Sequence, residues 1–122
     1  MNFRTRRLVR PTDLNGSNRL FGGQLLAWVD EEAAIFTACQ MRTCQVVTRL
    51  ISEIEFLAPV LCGDVLEFGL QVSDVGTTSL SVHCEVRSKL SGTTVLRIGR
   101  MVFVAVDEAG RPVAHGLRRA VA

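Results

Sequence analysis

No run of apolar residues in this 122-residue chain is long enough to cross a bilayer, although 48% of its residues are hydrophobic. The N-terminal residues also lack the apolar segment of a secretory signal peptide, so we expect a cytoplasmic protein without membrane contacts. The surplus apolar surface of so short a chain is therefore better assigned to contacts between subunits.

The chain also has only a small net charge, few residues that could bind a metal, and no closely spaced pair of cysteines. The net charge is only +2, which argues against nucleic-acid binding. Two histidines, His83 and His115, make a zinc site improbable. The cysteines form no C-x-x-C pair and lie in or beside apolar segments, which predicts buried free thiols at Cys39, Cys44, Cys62 and Cys84.

The order of elements predicts one small α+β domain over residues 1–122, with no linker or repeat. Residues 22 to about 40 have apolar side chains at helical spacing, at Leu26, Val29, Ala33 and Phe36. Strands are predicted at residues 3–9, 46–56, 65–75, 80–89 and 93–106. One helix followed by a meander of strands implies an antiparallel sheet packed against that helix.

The stretch between Arg10 and Asp30 carries the candidate chemistry. A turn-rich loop leads into Gly22 and Gly23, which leave the backbone N–H groups of the helix start uncovered. Those groups and the helix dipole favour negative charge developing on a carbonyl oxygen. Asp30 lies further along the helix among small residues and can act as a general base or a nucleophile. This order of parts suits acyl transfer.

Structural roles remain open for the same residues. Asp30 can be a half-exposed helix acid, and the glycine pair can be a tight strand-to-helix turn that leaves the same N–H groups free. Thr48 is common in strands for its branched shape alone. Asp13 and Asn15 most simply fix the loop through side-chain-to-backbone hydrogen bonds.

These residues resemble the hotdog-fold acyl-CoA thioesterases, in particular the YciA-like or acyl-CoA hydrolase branch. The likeness covers nearly the whole chain in the expected order, through Asp13, Asn15, Leu20-Phe21-Gly22-Gly23, Trp28, Asp30-Glu31, Val47-Thr48, Phe56, Ala58-Pro59, Gly63-Asp64, Gly76-Thr77-Thr78-Ser79 and Phe103-Val104-Ala105-Val106-Asp107. One departure is Asn18, where the family usually has glycine. Asparagine tolerates a left-handed backbone better than most residues, so the loop can survive the change.

The resemblance implies a sheet wrapped around a central helix, with two protomers forming one continuous sheet and active sites at their interface. It further implies a homodimer, and a hexamer built as a trimer of dimers. The reaction would be hydrolysis of an acyl-CoA thioester without metal or cofactor, since CoA is part of the substrate. Asp30 takes the position of the catalytic acid, Gly23 supplies the oxyanion contact, and Thr48 lies across the interface, where it can orient water. We also expect substrate contacts at Asn15, Phe21 and Gly22. The stretch Gly76, Thr77, Thr78 and Ser79 resembles a family turn near the CoA chain, and equally these residues can form a turn that needs no ligand.

Binding of the CoA phosphates must be local in a chain of such small net charge. The candidates are Arg87, Lys89, Arg118 and Arg119, because a strand end and the C-terminal tail can converge at a protomer boundary. A solvated surface is the simpler interpretation of these side chains.

Other functions make different demands on the sequence. A dehydratase or hydratase on this fold would need a histidine paired with an acid, and no histidine precedes His83. An acyl-CoA-binding regulator would need an effector domain. A non-catalytic acyl-CoA-binding hotdog module remains the alternative. The sequence does not indicate the acyl chain length, a preference for aryl groups, or whether Asp30 acts as a general base or as a nucleophile.

Overall fold

The computed structural model describes residues 1–43 and 45–118. Strand β1 spans Asn2–Leu8 and is followed by a 3-10 turn at Pro11–Asp13 and by helix α1 at Gly22–Met41. Four strands follow: β2 at Val46–Phe56, β3 at Val65–Val75, β4 at Ser79–Ser88 and β5 at Thr94–Ala105. The predicted strands and helix are confirmed to within one residue at each end, and so is the α+β class.

The five strands form one antiparallel sheet in the order β1-β3-β4-β5-β2, and α1 packs against one face. Alternation along β4 places Leu80, Val82, Cys84 and Val86 in the core, as predicted. The buried row of the helix differs from the predicted one, because Leu26 and Phe36 are only partly buried. The row that contacts the sheet has a four-residue period instead, and consists of Leu25, Val29, Ala33, Thr37 and Met41.

The cysteines are less uniform than their apolar neighbours predict. Cys84 is buried, and burial raises the pKa of its thiol to about 12. Cys39 and Cys62 are exposed, so the prediction of burial is wrong for both. Cys39 lies on the outer side of the helix and Cys62 in the turn before β3, where a local apolar sequence does not ensure burial. Cys44 lies outside the described residues.

The sheet ends in an apolar edge. Among the strands that the structure describes, β2 has a neighbour on one side only, and its large exposed side chains are Val47, Leu50, Ile54 and Phe56. An unpaired edge with apolar side chains is a ready surface for pairing with another strand. Among the described residues no helix has both the length and the apolar character that a membrane span requires.

Candidate active site

The loop before α1 is held by two side chains. The buried Asp13 carboxylate accepts a hydrogen bond from the Arg10 backbone N–H at 2.9 Å. Asn15 Oδ1 accepts bonds from the backbone N–H groups of Ser17 and Arg19, at 2.8 and 3.2 Å. Both predicted loop-fixing roles are confirmed. Asn18 has φ of 57°, the left-handed conformation that asparagine was expected to tolerate in place of glycine.

The start of α1 presents free donors. The N–H groups of Gln24 and Leu25 both donate to the Phe21 carbonyl, at 3.0 and 3.1 Å. Within residues 1–43 and 45–118, the N–H groups of Gly22 and Gly23 have no acceptor. A β carbon at Gly23 would lie 2.7 Å from the Phe21 ring, so glycine is what leaves the approach to these donors open. Such a helix start can bind a carbonyl oxygen that gains negative charge.

The acid on the helix is held by the neighbouring strand. Thr48 Oγ1 donates a hydrogen bond to Asp30 Oδ1 at 2.8 Å. The expected position of Thr48 across a protomer interface is wrong for this contact, because both residues belong to one chain and β2 returns alongside the helix it follows. The bond orients the carboxylate, and Asp30 Oδ2 has no partner among the residues that the structure describes.

Two halves of the candidate site lie at opposite ends of β2. Asp30 meets Thr48 near the beginning of the strand, whereas a β carbon at Gly22 would lie 3.3 Å from the Phe56 ring at its end. Seven residues separate Gly23 from Asp30, which is about 10 Å along the helix axis. Beside the helix start is an apolar cavity of about 330 Å³, lined by Leu20, Gly22, Leu25, Phe56, Leu57, Ala58, Pro59 and Val60.

The turn between β3 and β4 is near the acid end of the sheet, because Ser79 and Val47 both pair with Val104. Several of its backbone groups are bonded within the chain. The N–H of Gly76 donates to the Ser79 carbonyl, the N–H of Ala105 to Thr78, and the N–H of His115 to Thr77, at 2.9, 2.9 and 3.1 Å. These bonds engage the carbonyls of Thr77, Thr78 and Ser79.

His115 holds the C-terminal tail on that turn, a role that sequence reasoning did not assign. Its Nδ1 accepts the Leu117 N–H at 2.9 Å, so Nε2 carries the ring proton and donates to the Ser79 carbonyl at 2.8 Å. A single histidine near the C-terminus belongs to no sequence pattern from which these two hydrogen bonds could be predicted.

The two arginines proposed for CoA phosphates do not converge within one chain. Arg118 lines a cavity with Gln40, Asp74 and Leu80, near the beginning of β4, whereas Arg87 lies at the other end of that strand. Arg87 also donates to Glu67 at 3.2 Å and lies over the Phe3 ring. Lys89 is exposed beyond the same strand end, and Arg119 lies outside the described residues.

Glu67 is the centre of a charge cluster on the outer face of the sheet. Its carboxylate is nearly buried and accepts hydrogen bonds from Arg6 at 3.0 Å and from Arg87 at 3.2 Å. The hydrogen bond from Arg6, with that from Arg87, holds the pKa of Glu67 below its usual value. No group of three or more His, Cys, Asp or Glu residues in the described ranges is placed to hold a metal ion.

The chain is similar to known thioesterases along most of its length. Residues 17–95 match the family model described as Thioesterase superfamily. The chain is 34% identical to the acyl-CoA thioester hydrolase YciA of Escherichia coli over 117 residues, which cover 89% of this chain and 86% of that protein.

Solved structures give the same result. The hexameric thioesterase y2039 of Yersinia pestis superposes with a TM-score of 0.85 at 31% identity, over 95% of this chain and 94% of that one. The acyl-CoA hydrolase of Staphylococcus aureus, solved with butyryl-CoA and CoA, superposes at 0.80 and 34% identity, over 90% of this chain and 66% of that one. Asp→Ala and Asn→Ala variants of that enzyme have also been solved. The predicted hotdog fold is confirmed.

Proposed function

Because this chain belongs to the thioesterase superfamily, we propose that it hydrolyses acyl-CoA thioesters to a free acid and CoA. The observation that carries the proposal is the 2.8 Å hydrogen bond that orients Asp30 towards β2, while the second carboxylate oxygen has no partner within residues 1–43 and 45–118. That acid lies on the helix whose glycine start presents unpaired N–H donors. Thioester hydrolysis needs a group that activates or supplies the attacking oxygen, and hydrogen-bond donors that stabilise the oxyanion.

The two parts work together most simply when they come from two copies of the chain. Gly23 and Asp30 lie about 10 Å apart along the axis of one helix. Their contacts diverge, because Thr48 draws Asp30 Oδ1 to the beginning of β2 and the helix start lies beside Phe56 at the end of that strand. We propose that Asp30 of a second copy completes the site.

The exposed edge of β2 supports that arrangement. When two copies of β2 pair antiparallel about Ser52, near the middle of the strand, Thr48 of one copy comes opposite Phe56 of the other. Thr48 holds Asp30, and Phe56 contacts the helix start at Gly22. The pairing also covers the apolar side chains of the edge. We therefore propose a dimer through β2 with two composite sites. The relative from Y. pestis is hexameric, which favours further association into a trimer of dimers.

The chemistry within such a site has two balanced routes. Asp30 takes a proton from water, whose oxygen attacks the thioester carbon while the Gly23 N–H holds the oxyanion. The C–S bond then breaks, and the CoA thiolate leaves and receives the proton. Alternatively Asp30 attacks the carbon itself, expels the thiolate, and forms a mixed anhydride that water hydrolyses. Thr48 positions the carboxylate in either route.

The sequence separation between Asn15 and Asp30 supports a substrate-binding role for Asn15 and a catalytic role for Asp30. The Asp→Ala and Asn→Ala variants of the S. aureus enzyme alter residues fifteen positions apart, the separation between Asn15 and Asp30. Asn15 uses only its side-chain oxygen within the loop. Its amide NH₂ is available to the substrate. The apolar cavity beside Gly22 suits the acyl group, since it adjoins the carbonyl position.

The test is release of free thiol from acyl-CoAs ranging from acetyl to palmitoyl. We expect turnover by the wild type, and a loss of at least about a hundredfold in Asp30→Asn with the fold retained. The exposed Cys39 and Cys62 require an enzyme blank in a thiol assay. If the wild type binds acyl-CoA without releasing thiol, the protein is instead a binding module. Normal turnover by a folded Asp30→Asn protein would remove this acid from the mechanism.

A further inference from the structure

A second cavity begins one helical turn beyond Asp30. It measures about 650 Å³ and is lined by Ala34, Ile35, Ala38, Cys39, Arg42, Thr43 and Val46. Ala34 is four residues after Asp30 and therefore its neighbour on the helix surface. The lining is largely apolar until Arg42 and Thr43, so the groove runs from Ala34, next to the candidate acid on the helix, to a cationic end.

Arg42 occupies a position that favours another residue. It caps the C-terminus of α1 in the left-handed conformation, with φ of 56° and its N–H donating to the Ala38 carbonyl. Glycine adopts this conformation without steric cost and is the usual residue there. The guanidinium is exposed and forms no ion pair within residues 1–43 and 45–118. Neither the helix end nor a salt bridge accounts for the arginine.

The dimensions of the groove match one part of the proposed substrate. Twelve residues separate Asp30 from Arg42, or about 18 Å along the helix. The pantetheine arm of CoA has thirteen bonds from sulfur to the first phosphorus, which span about 16 Å when extended at roughly 1.2 Å per bond. A thioester beside Asp30 would therefore bring the pyrophosphate of CoA to Arg42.

We infer that this groove binds the pantetheine arm and that Arg42 contacts the CoA phosphates, in place of Arg87 and Arg118. The inference rests on the proposed acyl-CoA hydrolase activity. The apolar walls accommodate the gem-dimethyl and methylene groups of the arm, and the guanidinium meets the doubly charged pyrophosphate.

The test compares two substrates with the same acyl group, one on CoA and one on pantetheine without phosphates. Arg42→Gly should raise KM for the acyl-CoA about five- to tenfold and leave kcat near its original value, because phosphate contacts bind substrate and transition state alike. KM for the acyl-pantetheine should not change. Arg42→Asn should behave like the glycine variant, and Arg42→Lys should recover part of the affinity. The melting temperature of Arg42→Gly should be equal or higher, since glycine suits the left-handed position.

Arg97→Gln is the matched control. It removes one positive charge from the outer face of the sheet, where Arg97 pairs with Glu85, and should leave both KM values unchanged. An unchanged KM for acyl-CoA in Arg42→Gly would overturn the inference, and so would an equal rise for both substrates. Calorimetric binding of CoA itself separates this result from the proposed function. Weaker CoA binding by Arg42→Gly supports the inference even if the wild type proves to have no hydrolase activity.

Discussion

One hydroxyl group decides the geometry of the candidate acid. Asp30 is half-buried on a helix, where a free carboxylate would sample several rotamers, and the Thr48 hydroxyl binds one of its oxygens at 2.8 Å. Because this bond is exposed to solvent, it orients the carboxylate more than it stabilises the fold. Because the donor lies on β2, the acid is tied to the strand that we propose as the dimer edge.

Thr48→Val keeps the shape of the side chain and removes its donor. We expect kcat to fall about tenfold or more with little change in KM or in melting temperature, because the acid loses its orientation while the exposed site tolerates valine. Thr48→Ser retains the donor and should keep most of the activity. Equal kinetics for the valine variant and the wild type would show that Thr48 is only a strand-forming residue.

Glu67 illustrates a charged residue with a structural role. Its pKa is lowered chiefly by the hydrogen bond from Arg6. A lowered pKa in the folded state means that the ionised form favours folding, so this contribution is present above the usual value of 4.5 and is lost as the pH falls through the folded value.

Glu67→Gln should therefore destabilise the protein at pH 7, and the deficit should shrink as the pH falls below about 4.5. Melting temperatures of both proteins across this pH range provide the measurement. Glu85→Gln, on the same outer face with one longer contact to Arg97, is the control and should have the smaller effect. A deficit for Glu67→Gln that does not vary with pH would mean that its charge does not stabilise the fold.

At the scale of elements, the helix start is the most sensitive part. In the part of the chain that the structure describes, no side chain caps the first turn of α1, and the N–H groups there are reachable because positions 22 and 23 lack β carbons. The exposed Phe21 ring lies where a β carbon at Gly23 would be. The ring can rotate away, so a small side chain at this position should crowd the site without unfolding the helix.

Gly23→Ala should accordingly reduce kcat about tenfold while the circular dichroism spectrum stays unchanged. Replacing Phe21 with leucine in the same variant relieves the crowding and should recover part of the activity. Gly16→Ala serves as the control, because a β carbon there meets no atom within 4 Å. Full activity of Gly23→Ala would place the oxyanion contact elsewhere.

Local patterns were sufficient to predict the elements but not their spatial relations. Alternation and helical spacing are short-range signals, and they gave α1, β2 and β3 within one residue of the observed bounds. Which strand ends meet depends on the sheet order, a non-local property. Two facts therefore could not be predicted from the sequence: Arg87 and Arg118 lie at opposite ends of β4, and Thr48 contacts Asp30 of its own chain.

The candidate site was predictable where residue type and position coincide. A glycine pair at a helix start and an acid further along the same helix are visible in the sequence, and the structure places both as expected. Arg42 was not visible, because a lone arginine after a helix is ordinary until its left-handed backbone and the adjoining groove are known.

At the scale of the whole molecule, the proposed dimer would link assembly to chemistry through β2. This edge strand contacts Asp30 through Thr48 near one end and the helix start through Phe56 at the other. An active monomer would contradict this link, because the site would then be complete within one chain.

Subunit complementation tests the composite site most directly. Asp30→Asn and Gly23→Val are each expected to be inactive, and each damages a different half of the site. Refolding them together gives mixed dimers in which one of the two sites is intact, so activity should return to about a quarter of the wild-type value for random two-fold pairing. Refolding Asp30→Asn with Asp30→Ala is the control and should restore nothing. If the Asp30→Asn and Gly23→Val mixture also restores nothing although mixed dimers have formed, both halves act within one chain, and the composite site is wrong.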